Sequence, residues 1–289
     1  MPSLHPQIRE VLKIMAEAGL RPIEAMTPTE AREQMEATAR ARKAEPLPVA
    51  RIEERMIPGP GGPIRLRLYW PRGAGTVPAI VYYHGGGHVI GSLDTHDFVA
   101  RNLCAGAQAL VASVDYRMGP EHKFPAAVED SFAALEWVHA NVAALGADPD
   151  RIGVHGDSAG ANLAAVVALM ARDAGRPRLR LQSLVYPVAD YTMSTPSYEK
   201  FATGYGILTR DAMVWFQQHY LREAADAEDW RASPIKAKSL AGVPVEYKEF
   251  AGMIHAFFGM VPAIDDAMNA QRTVWAAFTR AFADTQEGG

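Results

Sequence analysis

The sequence predicts an α/β protein, a mostly parallel sheet with helices on both faces, folded as one domain over residues 1–289. Three observations predict it. Short apolar runs, "AIVYYH", "ALVASVDY", "RIGVHG" and "LQSLVYP", alternate with helical stretches near 95–108, 125–143 and 158–173, the pattern of strand–helix–strand crossovers. The chain has 289 residues, 48% of them apolar, enough for one large sheet covered on both sides. Between the third run and its helix stands a serine flanked by glycines, in "RIGVHGDSAGANLAA".

The elements follow in order. Leu4, Ile8, Val11, Leu12 and Met15 recur at helical spacing, which predicts an amphipathic helix over 4–18 ending at Gly19. A second helix is expected from about Thr29 to Lys43. Its start pairs Thr27 with Glu30 in a capping box, and "EPLP" ends it. Residues 50–57 and 63–70 alternate apolar and polar around "PGPGGP" and read as a β-hairpin. The parallel strands come next, and "VPVEYKEF", residues 243–250, reads as the last of them.

Composition removes several function classes. The net charge is −4, and the basic residues of "AREQMEATARARK" are interleaved with glutamates, so that stretch reads as a solvated helix face and nucleic acid is not the expected partner. The single cysteine, Cys104, leaves no internal disulfide and no CxxC site, and its helical setting places it in the core. No stretch approaches the ~20 apolar residues of a membrane span. The N-terminus lacks the apolar run of a signal peptide, so a cytoplasmic protein is expected. No metal, nucleotide or other cofactor motif is present, and none is expected; the partner is a small molecule.

The chemistry sits at Ser158. A strand running in and a helix running out make it the hinge of a sharp turn, which Gly156 and Gly160 permit. Such a turn pushes the hydroxyl into the crevice beyond the strand ends, and the Ala159 amide faces charge developing on a substrate. In "YYHGGGHVIG", residues 82–91, three glycines after an earlier strand free backbone amides to converge. Gly85 and Gly86 are expected as two oxyanion donors, with Ala159 the third and His84 bracing the loop. A phosphate cradle would need a following GK[ST], which is absent.

"HGGG" at 84–87, "DYRMGPEHKFPAAVED" at 115–130, "GDSAGANLAA" at 156–165 and "EYKEFAGMIHAFF" at 246–258 together resemble the bacterial hormone-sensitive lipase family of α/β-hydrolase esterases, in order and along almost the whole chain. The resemblance implies an eight-stranded sheet, cap elements over 1–45 and 190–225, and hydrolysis of short acyl esters. It makes Ser158 the nucleophile and His255 the general base. His255 also suits that role by position, in a loop after the last expected strand. Two departures, His88 in place of the family's aromatic residue and "YRMGPE" in place of "YRLAPE", are expected to tune the acyl pocket.

One family feature is missing. Such enzymes keep an acid in an Asp-Pro-Leu motif after the seventh strand, and this chain runs "SPIKAKSLAGVPVEYKEFAGMIH" from 233 to 255 without it. A strand, a helix and their loops, ~25–30 residues, would be absent, as by an internal deletion. Asp190, just past the sixth strand, is the candidate substitute acid. Glu246 and Glu249 are expected on the strand, pointing sideways, and Asp157 is expected to be structural. If 243–250 re-paired with "LQSLVYP", His255 would move by about one strand spacing, ~4.8 Å. An uncovered sheet face would invite self-association or a homodimer. Two functions stand at this point: a serine carboxylesterase working through an acyl-enzyme, weakened where the acid is missing, or an inactive, binding-only relative. Acyl transfer or amide hydrolysis on the same serine has the same sequence signature.

Overall fold

Strands β1 (Arg51–Ile57) and β2 (Ile64–Trp70) form the antiparallel hairpin at one side of a six-stranded sheet. The computed structural model describes residues 4–73, 75–203, 206–240 and 243–283. Within them, β2 pairs antiparallel with β4 (Leu110–Asp115), and β4, β3 (Val77–Tyr83), β5 (Ala147–Asp157) and β6 (Leu179–Val185) run parallel, giving the order β1-β2-β4-β3-β5-β6. The central strands β3, β4 and β5 are almost wholly buried, as near-continuous apolar runs must be when both faces are covered.

The helical expectations correspond to α1 (Pro6–Glu17), α2 (Pro28–Arg40), α3 (Asp97–Ala107), α4 (Ala126–Asn141) and α5 (Ala159–Ala174). The capping box forms in both directions: Thr27 accepts from the Glu30 amide and Glu30 accepts from the Thr27 amide. One apolar core lies under α4 and α5, the other under α3 and α8 (Asp265–Ala283). Cys104 is fully buried in the second core, its thiol pushed up to about 12 by burial.

The two cap pieces separate. Helix α7 (Arg210–Tyr220), which follows the short α6 (Ser197–Lys200), lies on the α4/α5 side, where its Trp215, Phe216 and Tyr220 are buried in that core. Helix α2 joins them there, as Trp215 Nε1 donates to the Met26 carbonyl at 3.0 Å. Helix α1 instead buries Ile8 in the other core, with the His5 amide donating to the Gly252 carbonyl at 3.0 Å.

Two expectations are corrected. The described residues hold six strands, not eight, and 243–250 forms none. Val245 and Tyr247 are 85% and 81% exposed. Ahead of the run Arg172 of α5 donates to the Ser239 carbonyl at 2.7 Å, and within it Glu246 pairs with Arg280 of α8 at 2.8 Å. Pro244 removes a further ladder donor. Glu246 and Glu249 are therefore exposed loop residues, and β6 is left as an open edge.

Candidate active site

Because β3 and β5 are parallel neighbours with Tyr83 opposite Gly156, their carboxyl ends deliver the loop after Tyr83 and the turn at Ser158 to the same place. Ser158 has φ 55° and ψ −120°, a left-handed conformation that costs a non-glycine residue on the order of 1–3 kcal/mol. The surroundings enforce it. Its amide donates to the Val185 carbonyl on β6 at 2.9 Å. A Cβ at Gly156 would lie 2.2 Å from backbone atoms of Gly160, and one at Gly160 1.9 Å from the Tyr83 carbonyl oxygen, so α5 can leave the strand this tightly only with glycine at both positions. Asn162, one turn into α5, donates to the Val188 and Ala232 carbonyls at 2.7 Å each and ties the cap segment to the helix.

His255 Nε2 lies 2.8 Å from Ser158 Oγ, within the reach of a proton transfer. The slide expected from a re-paired strand has not happened. Ile254, Phe257 and Phe258 are buried in the α3/α8 core on either side of the histidine, and they seat it without a neighbouring strand. The Tyr186 ring packs against the imidazole at 4.5 Å between centroids, a contact the sequence reading missed although Tyr186 stands one residue past β6. Burial alone pushes His255 down to about 4. A facing carboxylate would act in the opposite sense, and among the described residues none comes within ion-pair distance of it.

The candidate acids are all engaged or remote. Asp190 accepts from the Thr192 amide and hydroxyl, both at 2.8 Å, which closes a local turn. Asp157 is buried and accepts from the Tyr82 hydroxyl at 2.8 Å and the Gly85 amide at 3.2 Å. This second bond redistributes the oxyanion loop, because the Gly85 N–H is turned onto Asp157. Those of Gly86, Gly87 and Ala159 have no acceptor among the described residues. Gly86 and Gly87 have φ of 122° and 61°. A Cβ at Gly86 would meet the Ile90 carbonyl at 2.0 Å and one at Gly87 the Phe216 ring of α7 at 2.1 Å.

His84 is buried, with Nδ1 2.7 Å from the Gly85 carbonyl oxygen and its ring stacked on Tyr116 at 4.5 Å. Tyr116 donates to the His84 carbonyl at 2.7 Å. Burial first, then the neighbouring His96, hold His84 at about 4. The two departures from the family pattern do not line the pocket. His88 stacks on Tyr220 at 3.9 Å and shares a 2.8 Å hydrogen bond with the Tyr191 hydroxyl. Gly119 donates to the His88 carbonyl at 2.8 Å, and a Cβ there would lie 2.3 Å from the His219 carbonyl. Both residues seat α7 against the core.

Beside His255 opens a cavity of about 410 Å³, lined by residues 186–189 after β6, by Ser197, Tyr198 and Phe201, and by Leu208–Arg210 and Met213 at the start of α7. That volume suits a small ligand. Among the described residues no histidine, cysteine and carboxylate cluster could hold a metal, and no helix is long and apolar enough to cross a membrane.

Comparison with known proteins agrees with this geometry. A family model described as the alpha/beta hydrolase fold matches residues 80–244. The carboxylic ester hydrolase LipN of Mycobacterium tuberculosis is 43% identical over 234 residues, 79% of this chain and 60% of LipN, so the match spans under two thirds of that relative's length. The ethyl acetate hydrolase of Pseudomonas putida is 36% identical over 247 residues, 81% of this chain and 76% of that protein. The solved hyperthermophilic esterase from the archaeon Pyrobaculum calidifontis superposes with a TM-score of 0.91 at 40% identity, covering 97% of this chain and 99% of that one. In fold and in sequence the chain is thus similar to ester hydrolases, and it belongs to the alpha/beta hydrolase fold family, among its hormone-sensitive-lipase-like esterases.

Proposed function

We propose that the chain is a serine carboxylesterase for short acyl esters, working through an acyl-enzyme on Ser158. The observation that carries this is the 2.8 Å contact between Ser158 Oγ and a neutral His255 Nε2 at a turn that only glycines allow. His255 takes the hydroxyl proton as Oγ attacks the ester carbonyl. The amides of Gly86, Gly87 and Ala159 are the donors for the oxyanion, with Gly87 in the place first expected for Gly85. His255 then returns the proton to the leaving alcohol, and water repeats the sequence on the acyl-enzyme. His84 braces the loop that carries the donors. Residues 190–225 and α2 act as the cap, and the cavity they bound sets the short acyl length.

The same reading includes an internal deletion between Leu240 and Glu246 that removes the strand carrying the acid. It is supported by β6 standing as an edge, by the exposed run 243–250, and by a histidine on which burial acts without a carboxylate. A missing acid costs a triad about 10⁴ in rate, ~5.5 kcal/mol, and leaves catalysis measurable. The engagement of Asp190 with Thr192 speaks against it as the substitute acid. The open edge and the exposed Val243, Val245 and Tyr247 favour self-association, and a cytoplasmic location fits the unpaired, buried Cys104.

The test is mass-spectrometric labelling of Ser158 by an organophosphonate, with hydrolysis of short p-nitrophenyl esters alongside. Both are expected, and Ser158→Ala removes both. Turnover that survives Ser158→Ala would refute the assignment, whereas labelling with no hydrolysis would favour the binding-only relative.

A further inference from the structure

The cavity beside His255 carries one permanent charge, and that charge is positive. Its described lining is apolar or aromatic at Tyr186, Val188, Leu208 and Met213 and hydroxylic at Ser197 and Tyr198; no carboxylate lines it, and Arg210 is its only arginine or lysine. His255 adds no charge near neutral pH, since burial holds it at about 4.

Arg210 opens α7 and is exposed. Its backbone amide donates to the Ala202 carbonyl at 3.0 Å, but among the described residues its guanidinium has no hydrogen-bond acceptor and no ion pair. The two arginines that next follow α7 differ. Arg222 pairs with Asp226 at 2.6 Å and Arg231 with Asp229 at 2.7 Å. Of these three guanidinia, the one without a partner among the described residues is the one beside the cavity. A second cation lies close by, with Lys200 Nζ 5.2 Å from the centroid of the Phe201 ring, itself part of the lining. Glu199 and Asp211, the acids of the same two elements, do not line the cavity, and nor do the two acids against its lining residues: Glu24, which accepts from the Thr209 hydroxyl at 3.2 Å, and Asp190, which accepts from Thr192.

A guanidinium presents a planar fork of donors that matches a carboxylate in two parallel bonds, and the attraction strengthens where a cavity lowers the local dielectric. A neutral alkyl chain gains nothing from it. We propose that Arg210 is a specificity-determining residue that selects esters bearing a second, anionic group, a carboxylate on either the acyl or the alcohol side of the scissile bond. This rests on the reading of Ser158 and His255 as the ester-hydrolysing pair.

Two substrate pairs separate the sources of the carboxylate: monomethyl glutarate against methyl valerate for the acyl side, and 4-acetoxybutyrate against butyl acetate for the alcohol side. The wild-type chain is expected to favour the anionic member of one pair in kcat/KM by at least about tenfold. That ratio should fall to within about twofold of unity in Arg210→Gln, stay partly preserved in Arg210→Lys, and shrink as salt is raised. Near-UV circular dichroism checks that the variants are folded. A wild-type preference for the neutral member of both pairs overturns the proposal, and so does an anionic preference that survives Arg210→Gln.

Binding tests the same residue without turnover. Ser158→Ala protein should bind monomethyl glutarate more tightly than dimethyl glutarate, and the Ser158→Ala/Arg210→Gln double variant should not distinguish them. Equal binding of the two esters to the single variant counts against Arg210 even where hydrolysis is weak. Failure of phosphonate to label Ser158, with the binding preference intact, counts against the esterase reading and leaves Arg210 as a carboxylate site.

Discussion

His255 is held at about 4 by burial alone, and this sets how Ser158 responds to acid. The base must be neutral to accept the hydroxyl proton. At pH 5.5 an imidazole with pKa about 4 is still about 97% neutral, whereas one at the ordinary value near 6.5 is only about 9% neutral. Lowering the pH from 7.5 to 5.5 should therefore change the labelling rate of Ser158 by a few per cent, against a loss of about tenfold for an unshifted histidine. The assay is the second-order rate of phosphonate labelling read by mass spectrometry, with near-UV circular dichroism at each pH. A tenfold fall with the fold intact would refute the argument, since it means that water or a carboxylate reaches the imidazole. Below pH 5 a different process enters. Burial holds His84, His96 and His155 at about 4 and His88 at about 3, so the unfolded chain binds protons that the folded chain refuses. Stability that is full above pH 6.5 is then lost as pH falls toward 4, at up to about 3 kcal/mol for each fully shifted group. Loss of labelling in that range should be steeper than one proton and should coincide with loss of the near-UV signal.

Other outcomes follow from the same contacts. Urea midpoints should fall steadily between pH 6.5 and 5, and a flat midpoint would show that these histidines are hydrated. Gly160→Ala should lower stability by at least ~1–3 kcal/mol and slow labelling together, because its Cβ falls 1.9 Å from the Tyr83 carbonyl oxygen; an unchanged melting temperature would contradict the close approach. Grafting a family strand–acid–helix segment after Val243 should raise turnover by orders of magnitude, and the same graft with Asn for its Asp should restore stability only. Should the ungrafted chain already match intact relatives and lose that activity in Asp190→Asn, the idea of a missing acid would be wrong.

The periodic parts of the fold were legible because their reasons are local. The capping pair Thr27–Glu30, the hairpin, the apolar parallel runs and the glycine-framed serine all lie within a few residues of the feature they specify. What was not legible depends on partners distant in the chain. "VPVEYKEF" has a strand's alternation, but a strand is a pairing, and no residue of the run pairs with β6 in the described sheet. Gly85 looks like a donor until the buried carboxylate of Asp157, 72 residues on, takes its amide. His88 and Gly119 look like pocket residues because they depart from a pattern, yet they meet α7 at Tyr220 and His219, 100 residues or more later.

The placement of His255 does not depend on a strand over residues 243–250. A base delivered by a strand would be expected to move with it, by about a strand spacing of ~4.8 Å. Here 243–250 is not a strand, and the imidazole still meets Ser158 Oγ at 2.8 Å. Position comes from the other side: Ile254 is 5% exposed, Phe257 6% and Phe258 2%, and burying such side chains stabilises by about 1.5–3 kcal/mol each, enough to fix a short loop. Placement and activation are thus supplied by different parts of the molecule. The α3/α8 core brings the imidazole to the serine, while a carboxylate would choose its tautomer and stabilise the imidazolium formed during attack. Without one, the Tyr186 ring restrains the plane of the imidazole but offers no charge to the cation. A large response of turnover to a grafted aspartate, and none to a grafted asparagine, would register a serine that is correctly met and weakly driven.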